Sequence, residues 1–165
     1  MNILSLVITY KNKKINSRNA VDNYIINNLS EQGLNVQSIE LKNEFLVNIL
    51  KFKTLYYRYL LKRDHFRFRD PILLKSFAKK YNKILKTIDF DMLFGFGTIA
   101  FSFIETTKPY SFWTDATFKN LLNFYHDYQN YSSKTINEEI KRETEIFNKA
   151  KYCIFSTKWA ADSAI

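Results

Sequence analysis

ILSLVITYKNKKINSRNAVDNYIINNLSEQGLNVQSIEL, residues 3 to 41, carries two β-rich runs separated by a helical repeat. Ile3–Thr9 is nearly all apolar, as expected of a strand covered on both faces. The polar stretch Tyr10–Asn16 then leads into a helix with Asn16 or Ser17 as its cap. Val21, Ile25 and Leu29 recur on one face of that helix, and Gly33 is placed to stop it. Val36–Leu41 resumes the strand pattern. Strand, helix and strand within about forty residues make a βαβ unit, which requires parallel strands.

Outward from this unit the same alternation continues. Residues 45–63 read as a second helix, and Asp70-Pro71 caps a third running to about Lys86, with Phe77, Tyr81 and Ile84 at helical spacing. Met92–Gly95 reads as a short strand, Thr98–Thr106 as a short helix and Tyr110–Thr114 as the next strand. Thr135-Ile136-Asn137-Glu138 has the form of a capping box, and Ile136, Ile140 and Phe147 give the helix after it an inward face. Tyr152–Phe155 is a fifth strand, and Ser156 or Thr157 opens a last helix through Trp159. The expected fold is α/β, a Rossmann-like parallel sheet of about five strands flanked by helices. At 165 residues the chain is expected to be one domain.

Composition narrows the chemistry. A content of 46% hydrophobic and 17% aromatic residues excludes a disordered chain. Cys153 is the lone cysteine, so no disulfide framework exists, and an intracellular, reducing compartment is the plain reading. His65 and His126 have no cysteine or histidine neighbours at ligand spacing, so no metal site is expected. Met1–Tyr10 lacks the positive flank and cleavage site of a secretory signal. Phe90–Ile104 contains Asp91 and two glycines and is too short to span a bilayer. These features predict a soluble or peripheral protein.

In an open parallel sheet the loops at the carboxyl ends of the strands line the ligand crevice. Here they are Tyr10–Asn16, Gly95–Gly97, Thr114–Thr117 and Ser156–Lys158. Asp115 follows an apolar strand, where a charge is costly unless it faces that crevice or is fully hydrogen-bonded. Two readings account for it: a crevice carboxylate that accepts hydroxyl hydrogen bonds, or a cap on the helix that follows. Gly95-Phe96-Gly97 allows close approach to a ligand, or simply makes the turn. Neither a G-x-G-x-x-G after the first strand nor a G-x-x-x-x-G-K-[ST] is present, which leaves a self-contained dinucleotide or P-loop site unsupported. Ser156-Thr157 is placed to bind an anion or to cap. His126-Asp127 has no identifiable nucleophile to complete it. Glu138, Glu139, Glu143 and Glu145 read, with Lys141 and Arg142, as a solvated helix exterior.

Charge is unevenly placed. Residues 51–86 hold 12 Lys/Arg against Asp64 and Asp70, while the remainder holds 13 basic and 14 acidic residues. At 100° per residue Lys51, Arg58 and Lys62 share one narrow face of the second helix, and Phe45, Ile49, Phe52, Tyr56 and Leu60 cover a broad opposite arc. Arg63, Arg67 and Arg69 follow, interleaved with Phe66 and Phe68. Three readings compete: docking on an anionic membrane, with those six cations at the surface; binding of nucleic acid; or core-packed helices with a lysine-rich exterior.

MNILSLVITY, SEQGLNV, FDMLFGFGTIAF, KPYSFWTDATF and EIFNKAKYCIFSTKWAADSAI, in this order and spacing, resemble the N-terminal domain of a family 4 glycosyltransferase of the GT-B type over nearly the whole chain. The Lys-Pro strand ending in Trp113-Thr114-Asp115 and the Ser156-x-x-Trp159-Ala160-Ala161 unit carry the most weight. The resemblance implies a retaining hexosyltransferase that needs no metal or other cofactor, with a nucleotide-sugar as donor and a glycan or lipid-linked acceptor. It implies that residues 1–165 are the acceptor-side half, with a basic helical insertion at about 45–86. The family's donor-binding second domain has no counterpart here, so the half is expected to be inactive by itself. Asp115 is then the catalytic candidate, with Thr114, Lys13, Arg18, Gly97 and Ser156 lining the sugar cleft. Many family members carry histidine where this chain has Thr114, and Lys11-Asn12-Lys13-Lys14 replaces their glycine-rich turn. A cytoplasmic protein, peripheral on the inner membrane face, is the matching location. Nucleic acid is not expected as a partner; a non-enzymatic basic module that binds it is the alternative reading.

Overall fold

The structure, a computed structural model, describes residues 1–8, 17–41, 43–128 and 130–165. Five strands, β1 (Asn2–Ile8), β2 (Asn35–Leu41), β3 (Met92–Phe96), β4 (Tyr110–Thr114) and β5 (Tyr152–Phe155), form one sheet in the order β2-β1-β3-β4-β5. All four pairings are parallel. The expected α/β class and parallel sheet are therefore present.

Among the described residues six α-helices connect and follow the strands: α1 (Ser17–Glu31), α2 (Glu44–Tyr59), α3 (Pro71–Leu85), α4 (Phe118–Phe124), α5 (Ser133–Lys149) and α6 (Lys158–Asp162). Gly33 ends α1 at φ +80, where a glycine escapes the Cβ penalty. Gly33 N–H donates to the Ser30 carbonyl and Leu34 N–H to that of Leu29, a Schellman closure. Asp70 caps α3 by accepting from Ile72 N–H, with Pro71 at the first helical position. The predicted α1 face is only partly inward: Val21 is exposed and Asp22 is buried in its place.

Right-handed crossovers fix the layers. The β1-to-β2 connection advances one way across the sheet and all later ones the other way, so α1 lies opposite α2, α3 and α5. The face under the latter three holds the main core. Leu4, Leu93, Tyr110 and Phe112 meet Phe77 and Tyr81 of α3, Phe101, and Ile146 of α5. Register agrees, since Leu4 pairs Leu93 and Leu93 pairs Tyr110.

Two local expectations are corrected. Thr98–Thr106 is no helix: a single 3-10 turn at Ile99–Phe101 gives way to extended Ser102 and to Phe103 at φ +62. The chain then continues as irregular loop to Lys108, which must avoid helical geometry before Pro109. The second correction concerns α5, which begins before the Thr135–Glu138 box. Ser132 caps it, its Oγ accepting from Thr135 N–H at 3.2 Å.

Candidate functional site

The carboxyl ends of β3, β4 and β5 converge on one edge and are joined by main-chain hydrogen bonds. Gly97 N–H donates to the Trp113 carbonyl at 2.7 Å, and Ser156 N–H donates to the Thr114 carbonyl at 3.1 Å. Strand order reverses between β1 and β3, the switch point at which open α/β sheets bind ligands. Gly97 is buried and turns the chain there at φ +73, which supports the turn reading of Gly95–Gly97.

Asp115 is exposed on this edge and makes no hydrogen bond or ion pair among the described residues. It does not cap α4. That role belongs to Thr117, whose Oγ1 accepts from Asn120 N–H at 3.1 Å. Of the two readings of Asp115, the crevice one fits its position. Thr114 is buried, and its hydroxyl donates to the Ala116 carbonyl at 3.0 Å, so only its main chain faces the edge. Ser156 is exposed, whereas Thr157 caps α6 by accepting from Ala160 N–H. Lys13 lies outside the described residues, as does the side chain of Arg18 in the first turn of α1.

Beneath this edge lies a carboxyl that the sequence reading placed on a solvated surface. Glu143 is buried; its Oε1 accepts from the Thr98 hydroxyl at 3.0 Å and its Oε2 from Phe118 N–H at 2.6 Å. One side chain thus ties the turn after β3 to the start of α4. Glu139 is buried too, held by Arg69 and by Arg142. Only Glu138 and Glu145 of the four glutamates are exposed. A partial signal was available: at 100° per residue, Glu143 falls about 20° beyond Ile136, on the flank of the arc formed by Ile136, Phe147 and Ile140.

Burial raises the pKa of Glu143, against the opposing pull of Arg69 and of its hydrogen bonds from Phe118 N–H and Thr98. A carboxyl with a raised folded pKa stabilises fully below its unfolded value of about 4.3, and that contribution is lost as pH rises through the folded pKa. Glu143→Gln, able to accept from Phe118 N–H and donate to Thr98, should cost about 1 kcal/mol and remove this dependence. Glu143→Ala leaves two buried donors unpaired and should cost about 2–4 kcal/mol. Urea melts between pH 4 and 8 measure both.

The basic segment divides into two environments. Arg67 and Arg69 are half-buried: Arg67 lies 4.8 Å from the Phe68 ring, and Arg69 pairs with Glu139 and lies over Phe118. Both are engaged with the protein and are less exposed than the other four cations. Lys51, Arg58, Lys62 and Arg63 are exposed. The apolar arc of α2 is exposed with them, Phe45 at 75%, Phe52 at 74% and Tyr59 at 67%, joined by Ile49, Tyr56 and Leu60. Core-packed helices with a lysine-rich exterior therefore do not describe α2; Leu50 is its one buried residue.

α2 is anchored through its other face. Asp70 is 1% exposed and accepts from Lys53 Nζ at 2.6 Å, with His65 Nε2 at 2.8 Å. Thr54 Oγ1 is 3.0 Å from His65 Nδ1. This is the use of His65. Cys153 is half-buried, and burial pushes its thiol pKa up, away from nucleophilic use at neutral pH. His126 is exposed in a 3-10 turn.

Among the described residues no group of three or more His, Cys, Asp or Glu is placed to hold a metal, and no helix is long and apolar enough to cross a membrane. No protein-family model matches this sequence, and no curated protein shows significant similarity to it.

Proposed function

We propose that this chain is the acceptor-side half of a retaining, metal-independent glycosyltransferase. It would move a sugar from a nucleotide-sugar to a glycan or lipid-linked acceptor while docked on the cytoplasmic face of an anionic membrane. The convergence of Gly97, Asp115 and Ser156 on one carboxyl edge carries the reading, because that edge is where a parallel sheet holds ligands. Asp115 is uncommitted to the fold and accepts hydrogen bonds from sugar or acceptor hydroxyls. Gly97 and Ser156 offer main chain and a small hydroxyl beside it; Lys13 and Arg18 are assigned to phosphate by the family resemblance alone.

Membrane docking rests on α2. An exposed apolar arc beside exposed Lys51, Arg58, Lys62 and Arg63 matches an interfacial helix, apolar side among acyl chains and cations at anionic headgroups. α2 begins just after the carboxyl end of β2, so its first exposed aromatic, Phe45, starts on the edge that holds Asp115.

The test is Asp115→Ala in protein carrying both halves, assayed for sugar transfer from a panel of nucleotide-sugars. Transfer should fall at least 100-fold with an unchanged melting temperature, the size of effect seen when a polar group that stabilises a transition state is removed. Unchanged kinetics would remove Asp115 from the site.

A further inference from the structure

A second concavity lies away from the carboxyl edge, between α3 and α5. It is an open groove of about 1290 Å³, larger than the roughly 300–1,000 Å³ usual for ligand pockets. The segment 102–109, which joins β3 to β4, lines it without forming a helix. Phe90, Phe101, Tyr110 and Ile146 supply apolar walls.

Its rim is cationic. Lys75, Lys86, Lys108, Lys141, Arg142 and Lys149 line it against Glu105, Glu138 and Glu145. Lys108 lies 3.8 Å from exposed Asp89, and Glu138 is 4.0 Å from Lys134, so both partners of these contacts are weakly held. Arg142 is firmly placed: Glu139 takes one end of its guanidinium, which also donates to the Arg69 carbonyl at 3.2 Å. Its Nε is buried and has no hydrogen-bond partner among the described residues. That unpaired N–H is closed to solvent, so Arg142 brings the groove its fixed positive charge and not a direct Nε hydrogen bond.

One of the two non-glycine residues with positive φ among the described residues sits here as well. Phe103 holds a left-handed φ of +62, a conformation that bulky residues rarely adopt without a local reason. Its ring lies between two groove cations, 5.4 Å from Lys75 Nζ and 5.7 Å from the Arg142 guanidinium carbon. The strain places an aromatic surface at the mouth, beside the charges.

We propose that this groove binds a phosphate monoester bearing an apolar tail. The phosphate takes the Arg142, Lys75 and Lys141 end, and the tail lies along Phe101, Tyr110 and Ile146. A purely apolar guest would leave the cations unanswered, and bare phosphate would leave the apolar walls wet. This inference is independent of the sugar-transfer reading.

Calorimetry with octyl phosphate below its micellar concentration tests it, with octanol and inorganic phosphate as controls. Octyl phosphate should bind at least tenfold more tightly than either control. Lys75→Glu/Lys141→Glu, both at exposed positions, should weaken it at least tenfold without changing the melting temperature. Equal binding of octanol, or full affinity in that variant, would overturn the proposal. Loss of binding in a Phe52→Ser/Tyr56→Ser variant would also overturn it, by locating the ligand on α2.

Discussion

Replacing Asp70 with alanine should lower the unfolding free energy by about 3–5 kcal/mol, the range for removing one partner of a buried ion pair. The carboxylate is almost completely buried and receives three partners at once: Lys53 from the middle of α2, His65 from the loop beyond it, and Ile72 N–H at the start of α3. Alanine removes the α3 cap and leaves Lys53 and His65 without their counter-charge. Asp70→Asn keeps the shape and the cap, so it should lose roughly half as much.

The pH dependence identifies the charge. Burial alone would raise the Asp70 pKa, but hydrogen bonds from His65, Lys53 and Ile72 N–H outweigh it and hold the carboxyl well below the usual carboxylate range. A depressed folded pKa stabilises above the unfolded value of about 3.9, and that contribution disappears as pH falls through the folded pKa. Urea denaturation should therefore show stability declining below about pH 4, with a flatter acid limb in Asp70→Asn. An Asp70→Ala protein within 1 kcal/mol of the parent would mean that the cluster does not hold α2 to α3.

Phe52→Ser/Tyr56→Ser should abolish most binding to vesicles containing phosphatidylserine while leaving the fold intact. Both residues are exposed at the centre of the α2 arc, so the folded state loses little packing beyond the edge contact of Tyr56 with Tyr57. Each aromatic that enters the interface contributes about 1.5–3 kcal/mol, so losing two weakens binding by roughly 10²- to 10⁴-fold. Lys51→Glu/Arg58→Glu should weaken binding to anionic vesicles about tenfold or more and leave weak binding to neutral ones unchanged, since each cation near such a surface is worth about 1 kcal/mol. Cosedimentation across a salt series measures both. Salt-steep binding to single-stranded oligonucleotides with no vesicle binding would favour the nucleic-acid reading.

The sheet was legible because its signals are local. A β-rich run, a helix ended by Gly33 and a second run leave only a parallel pairing, and Asp70-Pro71 marks the start of α3 without tertiary help. Failures occurred where tertiary context prevails. Thr98–Thr106 has helix-compatible residues, yet the chain must cross the sheet face to reach β4 and breaks at Phe103. Glu139 and Glu143 carry charges that composition assigns to solvent, and only the packing of α5 shows that Arg69, Arg142, Thr98 and Phe118 N–H receive them. The α2 arc misleads in the opposite direction: helical periodicity marks an apolar face but does not say whether protein or something else covers it. For the edge, sequence order placed Gly97, Asp115 and Ser156 together, while capping by Thr117 and the inward turn of Thr114 required coordinates.

The central claim is that the carboxyl edge around Asp115 receives the sugar substrates. Its most direct test is an amide nitrogen–proton NMR titration of the isotope-labelled chain with nucleotide-sugars and with soluble glycan acceptors. Shifts gathered on Gly97, Asp115, Ala116 and Ser156, and lost in Asp115→Ala, are the predicted result. Shifts confined to other surfaces, or none at millimolar ligand, would contradict it.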